Sequence, residues 1–461
     1  MLNKNHIVFF RSIVGEEDCK DDAIYLKSYA YDSTRESFEP QCVIFPKNEE
    51  QISKILCYCN ENFIPVVPRG AGSGMSGGAI CANGGVVLAM EKYFNQILEI
   101  DEKNLLARVQ PAVINKTFQN EVEKVGLFYP PDPASQDFST LGGNVSENAG
   151  GMRAVKYGIT KDYVLALRAV LPNGAIIQTG KKTIKDVAGY NLSGLLCGSE
   201  GTLAVITEIT LKLRVKPKFT QMMLGLFASI DSCMHVVYKI LSSGVTPVAM
   251  EFLDTLTLKA VQKKMHRVFR DDAKAILIIQ VDGEIPEIMD YQIQKIQEIF
   301  SQNECLESHI AKNTTEAQEI WAMRRNASQS ISIYGKKKLN EDITVPRGNL
   351  PSLLKGIEEI GKKYGFKIAC FGHAGDGNVH TNVMVENPQD NAELERGYQA
   401  VEEIFRLAIK LEGTLSGEHG IGLSKAPFMK LAFSDAEMEL FRNLKKAFDP
   451  NNILNPKKMG L

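Results

Sequence analysis

The sequence of 461 residues lacks the features that tie a protein to a membrane, to nucleic acid or to an oxidising compartment. No stretch approaches the ~20 consecutive apolar residues that span a bilayer, and no long apolar run near the N-terminus precedes a small-residue cleavage site. A formal net charge of −2 gives no reason to expect nucleic acid as a partner. These absences predict a cytoplasmic protein without a transmembrane segment, and they leave room for peripheral contact with the inner face of a membrane.

Clustered cysteines are also lacking. The nine cysteines are scattered, and none has the spacing of a zinc or iron–sulfur ligand set. The closest pair, Cys57 and Cys59, lies in a predicted helix, where side chains two residues apart do not face each other. The odd number of cysteines and a reducing compartment favour free thiols with structural roles.

The chain is long enough for at least two hydrophobic cores, at about three times the length of a typical domain. Glycine-rich mixed α and β segments extend to a predicted boundary near Pro217, and longer helices alternating with strands follow it. A capping box formed by Ser434 and Glu437 predicts a final helix. We therefore expect domains at 1–217, with a core at 38–217, and at 218–410, and a C-terminal segment at 411–461.

The first glycine-rich segment contains a formal G-x-G-x-x-G at Gly72, Gly74 and Gly77. A dinucleotide-binding Rossmann motif requires a helix directly after the glycines, whereas the residues that follow predict a turn and a strand. What remains is a loop whose N–H groups can turn toward an anion such as a pyrophosphate, because glycine admits positive φ and close approach of a ligand. A turn-rich surface loop explains this segment equally well on its own.

Two further segments favour ligand binding. In 131–151 small hydroxyl and amide residues alternate with glycines, which supplies many short donors and acceptors without bulk. A third segment, Gly198–Leu203, leads into a predicted strand of alternating β-branched residues.

These three segments, in this order, resemble the FAD-binding domain of the vanillyl-alcohol-oxidase-like flavoproteins over roughly residues 38 to 217. The resemblance implies an α+β protein with a two-part FAD-binding domain, an α+β substrate or cap domain and a C-terminal helical segment. The first loop has no histidine or cysteine, so we expect FAD bound without a covalent link. The implied cofactor-binding residues are Pro68, Arg69, Gly70, Ala71, Gly72, Ser73, Gly74, Met75, Ser76, Gly77, Gly78, Pro131, Asp132, Pro133, Ala134, Ser135, Gly142, Gly143, Asn144, Ser146, Gly201, Thr202, Val205 and Ile206.

Histidines are scarce, and three of the seven fall between residues 373 and 419 among glycines. His373 and His380 lie seven residues apart around a predicted turn, and Glu418 and His419 add a carboxylate and a third imidazole. Two histidines and a carboxylate with an open coordination position suit zinc, manganese, iron or cobalt.

The motifs HAGDGNVH and SGEHGIG resemble those of the FAD-linked D-2-hydroxy acid dehydrogenases, a family that includes the glycolate oxidase flavoprotein subunit and D-lactate dehydrogenases. The resemblance implies that His373, His380 and Glu418 bind a divalent metal and that His419 is the catalytic base. It also implies that Asn382 contacts the substrate and that Arg324 clamps the substrate carboxylate, although Arg325 follows directly and either could point inward.

The resemblance implies oxidation of a 2-hydroxy acid by hydride transfer to flavin. Some relatives carry a lysine where this chain has Asn340, so a small substrate such as glycolate or D-lactate is favoured over a long diacid. The alternatives are a flavoprotein of the same fold that oxidises another alcohol without metal, and a metal-dependent hydrolase whose loops bind nucleotide. Because the chain holds no cluster ligands, an iron–sulfur or other electron-acceptor subunit is a plausible partner, and a homodimer is compatible with the sequence.

Overall fold

The computed structural model describes residues 2–34 and 36–461, and the chain divides into two compact units. Unit 1 comprises Met1–Gly151, Ile159–Lys216 and Glu418–Leu461. Unit 2 comprises Met152–Gly158 and Pro217–Gly417. The short insertion at Met152–Gly158 has no signal in the sequence, and 418–461 belongs to unit 1 instead of standing apart.

Unit 1 contains two main sheets. A four-stranded sheet has the order β1-β2-β4-β3, in which β4 is parallel to both β2 and β3. A five-stranded antiparallel sheet has the order β5-β6-β10-β8-β9, and β11 pairs with β7. The strands are β1 (Cys19–Lys20), β2 (Cys42–Ile44), β3 (Val66–Arg69), β4 (Val86–Ala89), β5 (Ile97–Asp101), β6 (Leu106–Val109), β7 (Leu127–Phe128), β8 (Val164–Val170), β9 (Ile176–Gly180), β10 (Val205–Lys212) and β11 (Arg214–Val215).

The helices of unit 1 cover these sheets. The third of them, α3, buries Ile52, Ile55, Leu56 and Cys59, at the helical spacing seen in the sequence. The helices are α1 (Lys4–Val14), α2 (Ala23–Ser28), α3 (Glu49–Glu61), α4 (Asn115–Glu123), α5 (Leu141–Glu147), α7 (Leu192–Leu196), α14 (Met429–Ala432) and α15 (Asp435–Phe448). The capping box of Ser434 and Glu437 is present at the start of α15, as predicted.

The last residues of the chain explain why 418–461 belongs to unit 1. Leu454 forms a parallel bridge with Val66, so the C-terminal segment extends the four-stranded sheet beside β3. Ile453 and Leu454 are buried in the same apolar cluster as β2, β3 and β4. Lys445 of α15 is also buried, and its ammonium group donates to the carbonyl oxygens of Thr202 and Leu454.

Unit 2 is built on one seven-stranded antiparallel sheet with the order β15-β12-β14-β13-β17-β18-β16. Its strands are β12 (Phe219–Phe227), β13 (Ala249–Leu253), β14 (Ala275–Gly283), β15 (Cys305–Ile310), β16 (Lys337–Thr344), β17 (Lys367–His373) and β18 (Asn378–Val385). Its helices are α6 (Ala154–Tyr157), α8 (Ile230–Ser242), α9 (Thr255–Met265), α10 (Pro286–Ser301), α11 (Thr314–Ser330), α12 (Leu350–Tyr364) and α13 (Asn391–Lys410). Helices α9 and α11 pack on the sheet around Leu258, Ile320 and Met323.

Three further sequence predictions can be compared with the structure. The first glycine-rich loop leads into β4, so a Rossmann arrangement is absent there, as predicted. All nine cysteines are free thiols. No helix among the described residues combines the length and the apolar character that crossing a membrane requires.

Candidate functional site

A deep cavity lies within unit 1, between the glycine-rich segments and the C-terminal part of the chain. It encloses about 1280 Å³ of space, part of it open to solvent. All three predicted cofactor segments contribute to its walls, together with Met90, Pro111, Glu200 and Asn455. The cavity thus brings together residues that are far apart in the sequence.

Most of the predicted cofactor residues line this cavity, and five do not. Those five support the walls from behind through hydrogen bonds or close packing. Thr202 donates to Ser199 O at 2.7 Å, and Gly77 O accepts from the ammonium group of Lys458 at 2.6 Å. The predicted residues that do not line the cavity are Ser76, Gly77, Pro131, Asp132 and Thr202.

The first glycine-rich loop presents unused backbone donors. The N–H groups of Ala71 to Ser76 donate to no residue in the described part of the chain. A Cβ at Gly74 would meet only Glu147 Oε1, at 3.8 Å, so this position has room where it faces the cavity. The loop therefore offers an anion a set of N–H groups without a side chain in the way.

A second observation points to a polar ligand in the same cavity. Asn144 is only 4% exposed and lines the cavity, and its Nδ2 has no hydrogen-bond partner among the described residues. A buried amide without a partner costs free energy, which a bound polar ligand would offset. The donor set and the available space fit an extended nucleotide cofactor such as FAD.

Arg69 shapes the loop from inside the protein. Its guanidinium donates to Ala79 O at 2.9 Å and to Tyr31 O at 2.8 Å and lies over the ring of Tyr29. Burial lowers the pKa of this arginine. Because both terminal nitrogens of its guanidinium donate to main-chain carbonyls, Arg69 stabilises the conformation of the loop.

Two glutamates, Glu147 and Glu200, line the cavity, and the buried Lys458 lies close to them. Burial raises the pKa of Glu147 well above its usual range, and the charge of Glu200 raises it further. Burial also raises the pKa of Glu200, which accepts two backbone hydrogen bonds. For the lysine the effect of burial has the opposite sign, and burial lowers the pKa of Lys458 to about 8. Neither glutamate stood out in the sequence, because each lies among small residues in an ordinary glycine-rich segment.

Glu418 and His419 form part of the same cavity wall. His419 Nε2 lies 3.9 Å from Glu418 Oε1, and a Cβ at Gly150 would meet the Glu418 side chain at 3.1 Å. Thus the predicted base belongs to the same unit and the same cavity as the predicted cofactor segments.

Unit 2 contains a second polar site on three adjacent strands. Antiparallel register places Glu251 of β13 opposite His373 of β17, and Phe371 of β17 opposite His380 of β18. Glu251 Oε1 lies 2.7 Å from His373 Nδ1, and the carboxylate is fully buried. Glu251 escaped the sequence analysis, although a single carboxylate in the apolar strand AMEFL was a signal that could have identified it.

The two histidines of unit 2 have the geometry of metal ligands. His373 Nε2 lies 3.4 Å from His380 Nε2, and the rings meet edge to face. Two nitrogens bound to one tetrahedral zinc ion lie about 3.3–3.4 Å apart, given Zn–N bonds of about 2.0–2.1 Å. The Glu251 carboxylate favours a proton on His373 Nδ1, which leaves the Nε2 lone pair for an ion. The residues present therefore fit a divalent metal.

The two consecutive arginines of α11 point in different directions. Arg324 has 11% of its side chain exposed, donates through Nε to Glu251 Oε2 at 2.5 Å and lies over the ring of Phe371. Arg325 is exposed and donates to Gln318 O at 3.3 Å. Arg324 thus shares a carboxylate with His373, and its remaining N–H donors suit a substrate carboxylate.

Asn382 and Asp342 lie near this polar site in the sheet. Asn382 is fully buried, its Nδ2 donates to Ala369 O at 3.2 Å, and its Oδ1 has no partner among the described residues. Asp342 pairs with His380 across β16 and β18, and it accepts from Gly417 N at 3.0 Å. Gly417, the last residue of unit 2, is thus anchored to the residue that pairs with His380 in the sheet.

Comparison with known proteins supports this description. A family model described as "FAD linked oxidases, C-terminal domain" matches residues 216–459, and one described as "FAD binding domain" matches residues 40–180. The glycolate oxidase subunit GlcD of Bacillus subtilis strain 168 is 42% identical over 448 residues, which cover 97% of this chain and 95% of that protein. A D-lactate dehydrogenase of Anaerostipes hadrus is 32% identical over 455 residues, covering 97% and 94%.

The fold is also found in solved structures. That of p-cresol methylhydroxylase with bound substrate matches with a TM-score of 0.80 at 16% identity, covering 99% of this chain and 96% of that chain. This likeness confirms the predicted vanillyl-alcohol-oxidase type of fold.

Proposed function

Because the chain belongs to the family of FAD-linked oxidases, we propose that it oxidises a small 2-hydroxy acid, glycolate or D-lactate, to the 2-oxo acid. FAD is held in the unit 1 cavity without a covalent link, and a divalent ion is held by His373, His380 and Glu418. The observation that carries this proposal is the position of His419 in the wall of the cavity that the predicted cofactor segments form. Family membership removes the hydrolase alternative.

The residues of the chain divide the chemistry among them. FAD, when bound, accepts a hydride, and a divalent ion, when bound, supplies a Lewis acid that makes the substrate hydroxyl more acidic. Arg324 binds the substrate carboxylate and fixes the orientation of the 2-carbon. His419 accepts the hydroxyl proton.

The proposed metal site rests on the two histidines and on chain connectivity. His373 and His380 present nitrogens 3.4 Å apart, and Glu251 orients the first of them. Asp342 fixes Gly417 through two contacts, at 3.0 and 3.2 Å, and Glu418 is the next residue along the chain. Two imidazoles and one carboxylate make a set of three protein ligands, which leaves a fourth coordination position free, as in catalytic zinc sites.

The preference for a small substrate rests on β16. Asn340 pairs directly with Asn382, the proposed substrate residue. Lys338, two residues away on the same face of the strand, is engaged by the hydroxyl of Ser328. An uncharged amide at Asn340 offers a second substrate carboxylate no cation, which favours glycolate or D-lactate over a diacid.

We extend the proposal to an electron-accepting partner. The Bacillus subtilis relative is named as a subunit, and the nine cysteines of this chain are free thiols. An iron–sulfur subunit or another acceptor protein would reoxidise the flavin.

Anaerobic flavin bleaching tests the proposed function. Holoprotein is mixed with glycolate, D-lactate, L-lactate or D-2-hydroxyglutarate, before and after treatment with a chelator and after resupply of zinc or manganese. We expect bleaching by glycolate or D-lactate, loss of bleaching with retained flavin after chelation, and recovery on metal resupply. Bleaching at an unchanged rate by metal-free protein would rule out the role of the metal, and bleaching by D-2-hydroxyglutarate alone would rule out the small substrate.

A further inference from the structure

The turn that follows His419 is held by a single carboxylate. Glu200 Oε1 accepts a hydrogen bond from Ile421 N, and Glu200 Oε2 accepts one from Gly422 N, each at 2.7 Å. Both glutamate oxygens are thus used on two consecutive backbone donors, a bidentate arrangement that fixes the direction of the turn as well as its position.

The other side of the turn is held by main-chain groups. Ser76 O accepts from Leu423 N at 2.7 Å, and Gly422 O accepts from Met459 N at 2.9 Å. A Cβ at Gly422 would lie 2.1 Å from Ser76 O, and φ there is +50°, so only glycine allows this approach. The turn therefore lies between the first glycine-rich loop and the third segment, both of which are predicted to bind the cofactor.

Glu200 is itself rigidly placed. It is 5% exposed and adopts φ of +51°, a left-handed conformation that glutamate rarely takes. Its N–H donates to Ser146 O at 2.9 Å, and its carbonyl oxygen accepts from Asn455 Nδ2 at 2.7 Å. Because hydrogen bonds fix both its N–H and its carbonyl group, the Glu200 backbone directs the carboxylate toward the amides of Ile421 and Gly422.

Glu200 and His419 both line the cavity, and His419 directly precedes Gly420, the first residue of the held turn. We propose that Glu200 is a positioning residue that sets the place of His419 relative to the bound cofactor. The inference rests on the proposed function, because it assumes that His419 accepts the substrate proton. Proton transfer demands donor and acceptor within hydrogen-bond reach, so a small shift of the turn should slow the chemistry more than it weakens substrate binding.

The substitution Glu200→Gln tests the inference with little change of shape. An amide keeps one acceptor oxygen and replaces the other with an NH₂ group, which cannot accept from Gly422 N. We expect FAD content to persist, the rate of flavin reduction at saturating substrate to fall about 10- to 100-fold, and KM to change less than about threefold. Ser193→Ala is the control, since it removes a buried hydroxyl contact with Thr179 Oγ1, at 2.8 Å, in the same unit and outside both the cavity and the turn.

A double-mutant cycle with His419→Asn separates positioning from a general structural role. If Glu200 acts through His419, adding Glu200→Gln to His419→Asn slows flavin reduction no further. Equal slowing by Glu200→Gln in both backgrounds, or a wild-type rate in the single variant, overturns the inference. If His419→Asn alone reduces flavin at the normal rate, the proposed base is wrong, a result distinct from a failure of Glu200 alone.

A measurement on the unmodified holoprotein covers the case in which Glu200→Gln fails to fold. Hydrogen exchange of a peptide spanning Gly417–Ser424 should show protected amides at Ile421 and Gly422, because both donate to a buried carboxylate. Complete exchange of that peptide at the earliest time, with the remainder of unit 1 protected, contradicts the inference.

Discussion

The cavity of unit 1 and the polar site of unit 2 are lined by different kinds of chemical group. The cavity presents backbone N–H groups and small residues, and its glycines leave space where side chains would stand. The polar site is made of charged and imidazole side chains on three strands, and it is nearly closed to solvent. Substitutions that add volume should therefore impair ligand binding in the cavity. Substitutions that remove a single functional group should impair the polar site.

The largest effect should come from adding volume to the cavity wall. Gly74→Val fits the fold, because a Cβ there meets only Glu147 Oε1 at 3.8 Å, but its branches would occupy the space that a cofactor needs. We expect protein that folds normally and purifies without flavin. Absorbance near ~450 nm, the range typical of bound flavin, measures this. Gly348→Val, at a position with nothing within 4 Å, is the matched control and should retain flavin.

His419 and His380 should respond differently to the same substitution. His419→Asn removes the proposed base, so flavin reduction should fall by ~10²-fold or more while metal and FAD remain. His380→Asn should lose metal first and activity as a consequence. Metal analysis and stopped-flow flavin reduction on both variants check this. Recovery of full activity by His419→Asn in excess metal would make His419 a ligand.

Loss of the guanidinium should weaken substrate binding more than chemistry. If Arg324 binds the substrate carboxylate as proposed, Arg324→Ala removes a charge-assisted contact worth about 1.5–3 kcal/mol, so KM should rise roughly 10- to 100-fold. Arg325→Ala, at the exposed neighbour, is the control. Steady-state kinetics with the preferred substrate measure both, and an unchanged KM for Arg324→Ala would move the clamp elsewhere.

A smaller effect is expected from Glu251, the residue that contacts the proposed metal ligand His373. Glu251→Gln keeps an acceptor for His373 Nδ1 but loses the charge, so metal affinity should fall about 10-fold. Titration of metal-free protein with zinc gives the affinity. Unaltered affinity would mean that the carboxylate serves Arg324 alone.

The smallest effect concerns stability and pH. The folded pKa of Glu147 is raised above 4.5, so its contribution to stability is present below that value and is lost as pH rises through the folded pKa. Glu147→Gln removes this loss, so the melting temperature of the variant relative to wild type should be higher at pH 8 than at pH 5. Scanning calorimetry at both values provides the comparison. A difference that is independent of pH would show that Glu147 is ionised alike in both states.

The two sites also differ in how far the sequence predicted them. Local patterns identified the glycine-rich loop that leads to a strand and the helix capped by Ser434, because each depends on neighbouring residues alone. Glu200 and Asn455 could not be found in this way. Their roles arise only when the third segment and the C-terminal residues come together, contacts separated by 221 and 255 positions in the chain.

The insertion of Met152–Gly158 into unit 2 was unpredictable for the same reason. Tyr157 donates to Asp282 Oδ2 at 2.6 Å, and Lys156 pairs with the same carboxylate. Tyrosine and lysine are also common in surface turns, so the sequence gives no sign of these contacts. The contacts are recognised only when β14, which carries Asp282, is seen beside the two residues.

The hydrogen bonds that Lys458 donates to the first glycine-rich loop have a consequence for synthesis of the protein. Lys458 donates to Gly77 O and Ile80 O across 381 and 378 positions of the chain. A ribosome makes the glycine-rich loop several hundred residues before it makes Lys458, so the loop lacks these hydrogen bonds until Lys458 has been synthesised. The fully hydrogen-bonded form of the loop is therefore reached only after Lys458 has folded against it.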